Sequence, residues 1–205
     1  MSSSGPAEFR SSREKKVLRS SADSPLKWVQ TGSRTTFVRD CYDHIWSIFT
    51  EEFLPTTTGS GNGNNNNGKS DDEDDDDRLD GVIVTGTPGC GKSCFLDFCL
   101  HQLRSLGHSV LYVHGKSGTA FLYSSDNRVA EYQINDAIFS GIADQVDFLL
   151  LDPPEGGDPN FFGRRNMKGK PFILAVSPDA DNCQSIRKDA DYLQVYMGPV
   201  SLEEA

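Results

Sequence analysis

Between Gly86 and Ser93 the chain reads GTPGCGKS. This is the spacing G-x-x-x-x-G-K-[ST], and each fixed position answers a need of phosphate chemistry. Gly86, Gly89 and Gly91 open backbone conformations closed to residues with a Cβ, so that successive N–H groups can turn inward around an anion. Lys92 is a cation long enough to reach β- and γ-phosphates, and the Ser93 hydroxyl belongs in the shell of a magnesium ion. Thr87, Pro88, Cys90 and Cys94 complete the stretch expected to touch a nucleotide. The loop follows the apolar run GVIVT and precedes CFLDFCLHQL. It therefore lies between a buried strand and a helix N-terminus, whose dipole and free N–H groups favour negative charge.

Magnesium chemistry needs a carboxylate at the end of a neighbouring strand. Asp152 closes VDFLLLD, an apolar stretch from Phe148 to Leu151 followed by the acid, which is the form of a Walker B strand. The competing reading is an aspartate that only starts the turn DPPEGGDP. Hydrolases with an added strand between these two motifs usually place a glutamate directly after the aspartate, to polarise the attacking water. Here that position is Pro153. Glu155 is a candidate base in the following loop, against the plainer account of a surface acid in a Gly/Pro turn, so the general base stays open. Ser177, at the end of PFILAVS, falls where a polar sensor would touch the γ-phosphate or the water; equally it suits a turn before Pro178. Lys92, Asp152, Glu155 and Ser177 form the candidate catalytic set, with Ser93 and Asp152 as candidate metal ligands. No N-K-x-D or T-K-x-D guanine-reading motif occurs, so ATP with Mg2+ is the expected ligand. His44, His101, His108 and His114 have neither the spacing nor the cysteine partners of a zinc site and read as surface or structural residues.

These groups need a scaffold, and the chain supplies an alternation of strands and helices from residue 81 to 205. The expected fold class is α/β: a P-loop NTPase three-layer sandwich around a mainly parallel sheet of about five strands. The strands are GVIVT, SVLYVH, VDFLLLD, PFILAVS and YLQVYM. Lys92 to Leu106 is a helix with Gly107 suited to its C-terminal cap. TAFLYSSDNRVAEYQI reads as a β-hairpin around Ser124 to Asn127, inserted into the alternation. Upstream, within residues 25–55, apolar positions from Phe37 to Phe49 recur at helical spacing until Pro55. This amphipathic helix is expected to pack on the domain, with an independent partner-binding helix as the alternative.

Residues 56–80 are a low-complexity Gly/Asn/Asp linker, and residues 1–24 a Ser-rich arm too poor in large apolar groups to order itself. Of a formal net charge of −10, the acidic run Asp71 to Asp77 carries seven, which leaves −3 for the rest of the 205 residues. The core is nearly neutral, so nucleic acid is not indicated by a broad basic footprint. Five cysteines form no C-x-x-C pair, and three of them crowd the glycine loop and the helix after it, where a disulfide would distort the site. Reduced thiols and an intracellular setting, cytoplasmic or nuclear, follow. No stretch reaches the roughly 18 apolar residues of a membrane span.

At this level of detail the chain resembles the P-loop NTPase domain shared by Crinkler effectors and retrotransposon hot spot proteins. The likeness runs in order through FVRDCYDHIW, VTGTPGCGKSCFLDFCL, FLLLD, and the pair ILAVSPDADN with YMGPVSLEEA, covering about Phe37 to the C-terminus without the linker. The resemblance implies an ATP-binding domain found in host-translocated effectors and retroelement-encoded proteins, often nuclear. A secreted effector acting in a host cell nucleus therefore stands beside the intracellular reading. The expected function is Mg-ATP binding with slow or partner-dependent hydrolysis. The alternatives are a nucleotide-dependent protein-interaction module without turnover and a small nucleotide kinase. Ser201 and Glu204 have the S-x-x-E form of a capping box with only Ala205 after it. On that ground the domain is expected to be C-terminally truncated, with a protein partner completing the site.

Overall fold

The computed structural model describes residues 17–19, 35–54, 79–114, 117–133, 136–153, 167, 169–178 and 190–200. Most of the arm, nearly all of the linker, Glu155 and the Ser201–Glu204 motif lie outside the described residues.

The chain folds as an α/β protein around a seven-stranded mixed sheet. Its strands are β3 (Gly81–Thr85), β4 (Val110–His114), β5 (Thr119–Tyr123), β6 (Val129–Gln133), β7 (Phe148–Asp152), β8 (Phe172–Val176) and β9 (Tyr192–Tyr196). The spatial order is β6-β5-β4-β7-β8-β3-β9. The five strands from β4 to β9 pair in parallel, as the apolar runs lead one to expect. β3 and β8 are buried at every position, the signature of strands covered on both faces. The hairpin β5–β6 is not an appendage. β5 pairs antiparallel with β4, and the sheet grows by two strands at that edge.

Two helices cover one face: α1 (Asp40–Phe53) and α2 (Lys92–Ser105). They share a core with alternate residues of the strands, among them Val84, Tyr112, Leu150 and Ala175. The other face carries Ile83, Leu111, Leu151 and Leu174 against Phe139, Ile142 and Ala143 of α3 (Asp136–Ala143). Helices thus lie on both sides of the sheet. α3 has only eight residues, too few for the spacing of its apolar side chains to announce it.

The upstream element departs from expectation at its start. Thr35–Phe37 is a strand, β2, paired antiparallel with β1 (Val17–Arg19), which itself falls inside the segment expected to be disordered. Thr35, Thr36 and Phe37 are β-branched or aromatic and prefer the extended backbone, so helix begins only after the extended N-cap Arg39. It ends at Leu54, extended at φ −110° and ψ 100°, as the residue before a proline must be. Tyr42, Ile45, Phe49 and Phe53 recur at helical spacing and are all buried. Tyr42 meets Phe95 and Phe98 of α2 at ring centroid separations of 5.2 and 5.7 Å, and Phe49 meets Phe148 of β7 at 5.7 Å. A free helix of 14 residues is marginal in water. Burial of such side chains, at about 1.5 to 3 kcal/mol each, is what holds α1 in place. α2, which packs against both α1 and the sheet, is consequently buried at every residue from Phe95 to Leu100.

Candidate functional site

The parallel strands all deliver their carboxyl ends to one edge, where the crevices of open α/β sheets receive ligands. Thr85, His114, Asp152, Val176 and Tyr196 are the last residues of β3, β4, β7, β8 and β9. β8 lies between β3 and β7, so an added strand does separate the glycine loop from Asp152.

The loop leaves β3 at Gly86 and enters α2 at Lys92. Thr87, Pro88 and Gly89 form an exposed crest, Cys90 is buried, and Gly91, Ser93 and Cys94 are half-buried. Gly91 is the N-cap of α2 at φ 95°, a left-handed conformation that a side chain would strain; a Cβ there would also lie 2.7 Å from the Tyr42 hydroxyl oxygen. At Gly86 a Cβ would overlap the Met197 carbonyl oxygen. Glycine is thus needed at both ends of the loop, and the second requirement comes from the far end of the chain.

Lys92 is 9% exposed. Its Nζ donates to Gly86 O at 2.6 Å and to Thr87 O at 3.1 Å, with Cys90 Sγ at 3.9 Å. Among the described residues it has no carboxylate within ion-pair distance. Two carbonyl oxygens and a sulfur thus hold this buried ammonium, and all three are neutral acceptors.

Asp152 is half-buried and level with His114 on β4. Tyr112 and Leu150, two residues earlier on each strand, face α2, so the two-residue period brings His114 and Asp152 out on the α2 face as well. Cys94, the neighbour of Ser93, feels this arrangement. Burial, with the charges of Asp97 and Asp152 adding to it, pushes the Cys94 thiol up from its ordinary range. Ser177 is exposed and follows Val176, the register partner of Thr85. The fold accordingly gathers Lys92, Ser93, Cys94, Asp152 and Ser177 at one edge.

Three residues at this edge escaped the sequence reading. His114 ends VLYVH as Asp152 ends FLLLD, an apolar run closed by a polar residue, and that shared form was the available signal. Its Nδ1 lies 2.9 Å from Ser117 Oγ. Arg39 and Tyr42 reach the loop from behind. Arg39 Nη1 donates to Cys90 O and, at 3.1 Å, to Gly198 O, while Nη2 donates to Pro199 O at 2.9 Å. The Tyr42 hydroxyl donates to Gly91 O at 2.7 Å. No spacing announces either contact, because both join segments distant in sequence.

Among the described residues, no group of three or more His, Cys, Asp or Glu side chains gathers as a metal site, and no helix is long and apolar enough to cross a membrane. Compared with protein-family models, curated proteins and solved structures, the chain matches none of them.

Proposed function

We propose that the chain is a Mg-ATP-binding P-loop NTPase, allied to the Crinkler and retrotransposon hot spot domains, with the nucleotide phosphates on Gly86 to Ser93. The observation that carries this reading is Lys92: a buried ammonium at a glycine-rich strand-to-helix turn, held by two backbone carbonyls and the Cys90 sulfur. In use, Lys92 exchanges those weak neutral acceptors for phosphate oxygens, which bind a cation more strongly. Ser93 and Asp152 are the residues that would hold magnesium, the remaining positions falling to phosphate oxygens and water, as magnesium prefers. Magnesium bound there would neutralise charge on the phosphates.

Slow or partner-dependent hydrolysis goes with this reading, because Pro153 occupies the position after Asp152 and offers no proton acceptor. Ser177 is close in register to the loop strand and suits a polar contact to the terminal phosphate. Four free cysteines among the described residues, Cys41, Cys90, Cys94 and Cys99, accord with an intracellular setting. The same Pro153 favours a second reading, an interaction module that binds nucleotide and does not turn it over.

Titration of labelled ATP with and without magnesium tests the proposal. Saturable binding strengthened by magnesium is expected, and Asp152→Asn should remove the magnesium-dependent gain while leaving metal-free affinity nearly unchanged. No saturable binding at millimolar nucleotide rejects it. An ATPase rate that disappears in Lys92→Ala rejects the second reading.

A further inference from the structure

Arg39 and Tyr42 hold carbonyl oxygens of the loop, not side chains, and the planarity of the peptide bond gives that choice a consequence. In a trans peptide unit the C=O and the following N–H point in opposite directions. Fixing Cys90 O therefore fixes the Gly91 N–H, and fixing Gly91 O fixes the Lys92 N–H. Arg39 grips Cys90 O from the α1 side, and Tyr42 adds a second donor to Gly91 O, which also accepts from the Phe95 N–H at 2.9 Å. Both N–H groups are therefore turned away from those donors, the direction a phosphate held by this loop requires.

We propose that Arg39 and Tyr42 are positioning residues: they set the phosphate affinity of the Gly86–Ser93 loop by orienting its Gly91 and Lys92 N–H groups, and Arg39 ties that setting to the chain after β9. The inference rests on the reading of the loop as a phosphate site. Both side chains are built for such a task. Arg39 is 5% and Tyr42 1% exposed. Burial pushes the Tyr42 hydroxyl well above its ordinary range, so it stays a donor at all physiological pH. The planar guanidinium presents several N–H groups in a fixed fork, which lets one side chain serve Cys90, Gly198 and Pro199 together. The stretch after β9 is itself pressed to the loop strand, the Met197 N–H donating to Thr85 O at 2.7 Å. A pull on residues 198–199 thus reaches the loop through one side chain.

The test uses the full chain with Tyr42→Phe, Arg39→Lys and Arg39→Met. Each variant is measured for ATP affinity at a temperature where it is fully folded, for thermal midpoint, and for the ligand-free amide signals of Gly91 and Lys92. Tyr42→Phe keeps the ring packing and removes only the hydroxyl, so ATP affinity should fall roughly 2- to 10-fold, the worth of one hydrogen bond. Arg39→Met should fall further, and Arg39→Lys, which keeps a donor, should recover part of the loss. The Gly91 and Lys92 amide signals should shift without nucleotide present. If Arg39→Met does not fold, Tyr42→Phe decides. Folded variants that bind ATP as the wild type does, or amide signals that do not move, overturn the proposal and leave the nucleotide reading standing. Failure of the wild type to bind ATP overturns both.

Discussion

At one end of the sheet, β5 and β6 close on each other through neighbours. The Asn127 N–H donates to Ser124 O at 3.0 Å, the Ser124 N–H to Arg128 O at 2.9 Å, and Arg128 Nε to Asp126 Oδ2 at 2.6 Å. Toward the other end, the loop after β3 is held by Arg39 and Tyr42, 51 and 49 positions upstream of their partners, and Arg39 also reaches 159 positions downstream. The first end is local and exposed. The second is buried and joins three remote segments, so it can be disturbed from places that touch no ligand. The contrast teaches where sequence tolerance should lie: in the hairpin turn, and not in α1.

The largest effect should come from loosening α1. Phe49 is 1% exposed, stacks on Phe53 at 4.9 Å and meets Phe148. Phe49→Ala should cost about 3 to 5 kcal/mol of stability in denaturant unfolding, with ATP affinity falling as the brace loosens. A loss below about 1 kcal/mol would mean that α1 is an accessory and the comparison fails. Lys92→Ala sharpens the same contrast from within the loop. ATP affinity should drop about 10- to 100-fold, because a charge-assisted contact to phosphate is worth on the order of 1.5 to 3 kcal/mol. Unchanged affinity in a direct titration would remove the loop as the site. Asn127→Ala should do least. Asn127 sits at φ 66° and accepts from Arg104 Nη2 at 2.7 Å on the surface. Its replacement should cost no more than about 1 kcal/mol and leave ATP binding alone. A change in affinity beyond about twofold, against that 1 kcal/mol ceiling, would show that the hairpin end is coupled to the site after all.

Much of this was readable before any coordinates. The runs GVIVT, FLLLD and FILAV are strands because parallel sheets bury both faces and so need continuous apolar stretches. Glycines and a lysine at fixed spacing mark the loop, since backbone conformation and cation placement are local properties. Asn127 in the SSDN turn betrays the hairpin for the same reason. Three things were not readable. The strand order, which inserts β8 between β3 and β7, is a tertiary outcome of crossovers. β1 and β2 have three residues each, too short for a period. Arg39, Tyr42 and His114 gain their places at the site only when distant segments meet, and before that Arg39 looks like an ordinary residue ahead of a helix.

The bond from Arg39 to Gly198 also sets an order in time. During synthesis, at about 5 to 20 residues per second, the glycine loop leaves the ribosome some 5 to 20 seconds before residues 198–199 follow it. Until Phe172–Val176 has followed, β3 can pair on neither side, since both its partners, β8 and β9, come later in the chain. Arg39 then has Cys90 O within its reach and not yet Gly198 O or Pro199 O. Closing so wide a separation is the slow kind of contact. The nascent chain therefore holds its glycine loop early and the loop's braced form only late, after the motif itself has been made.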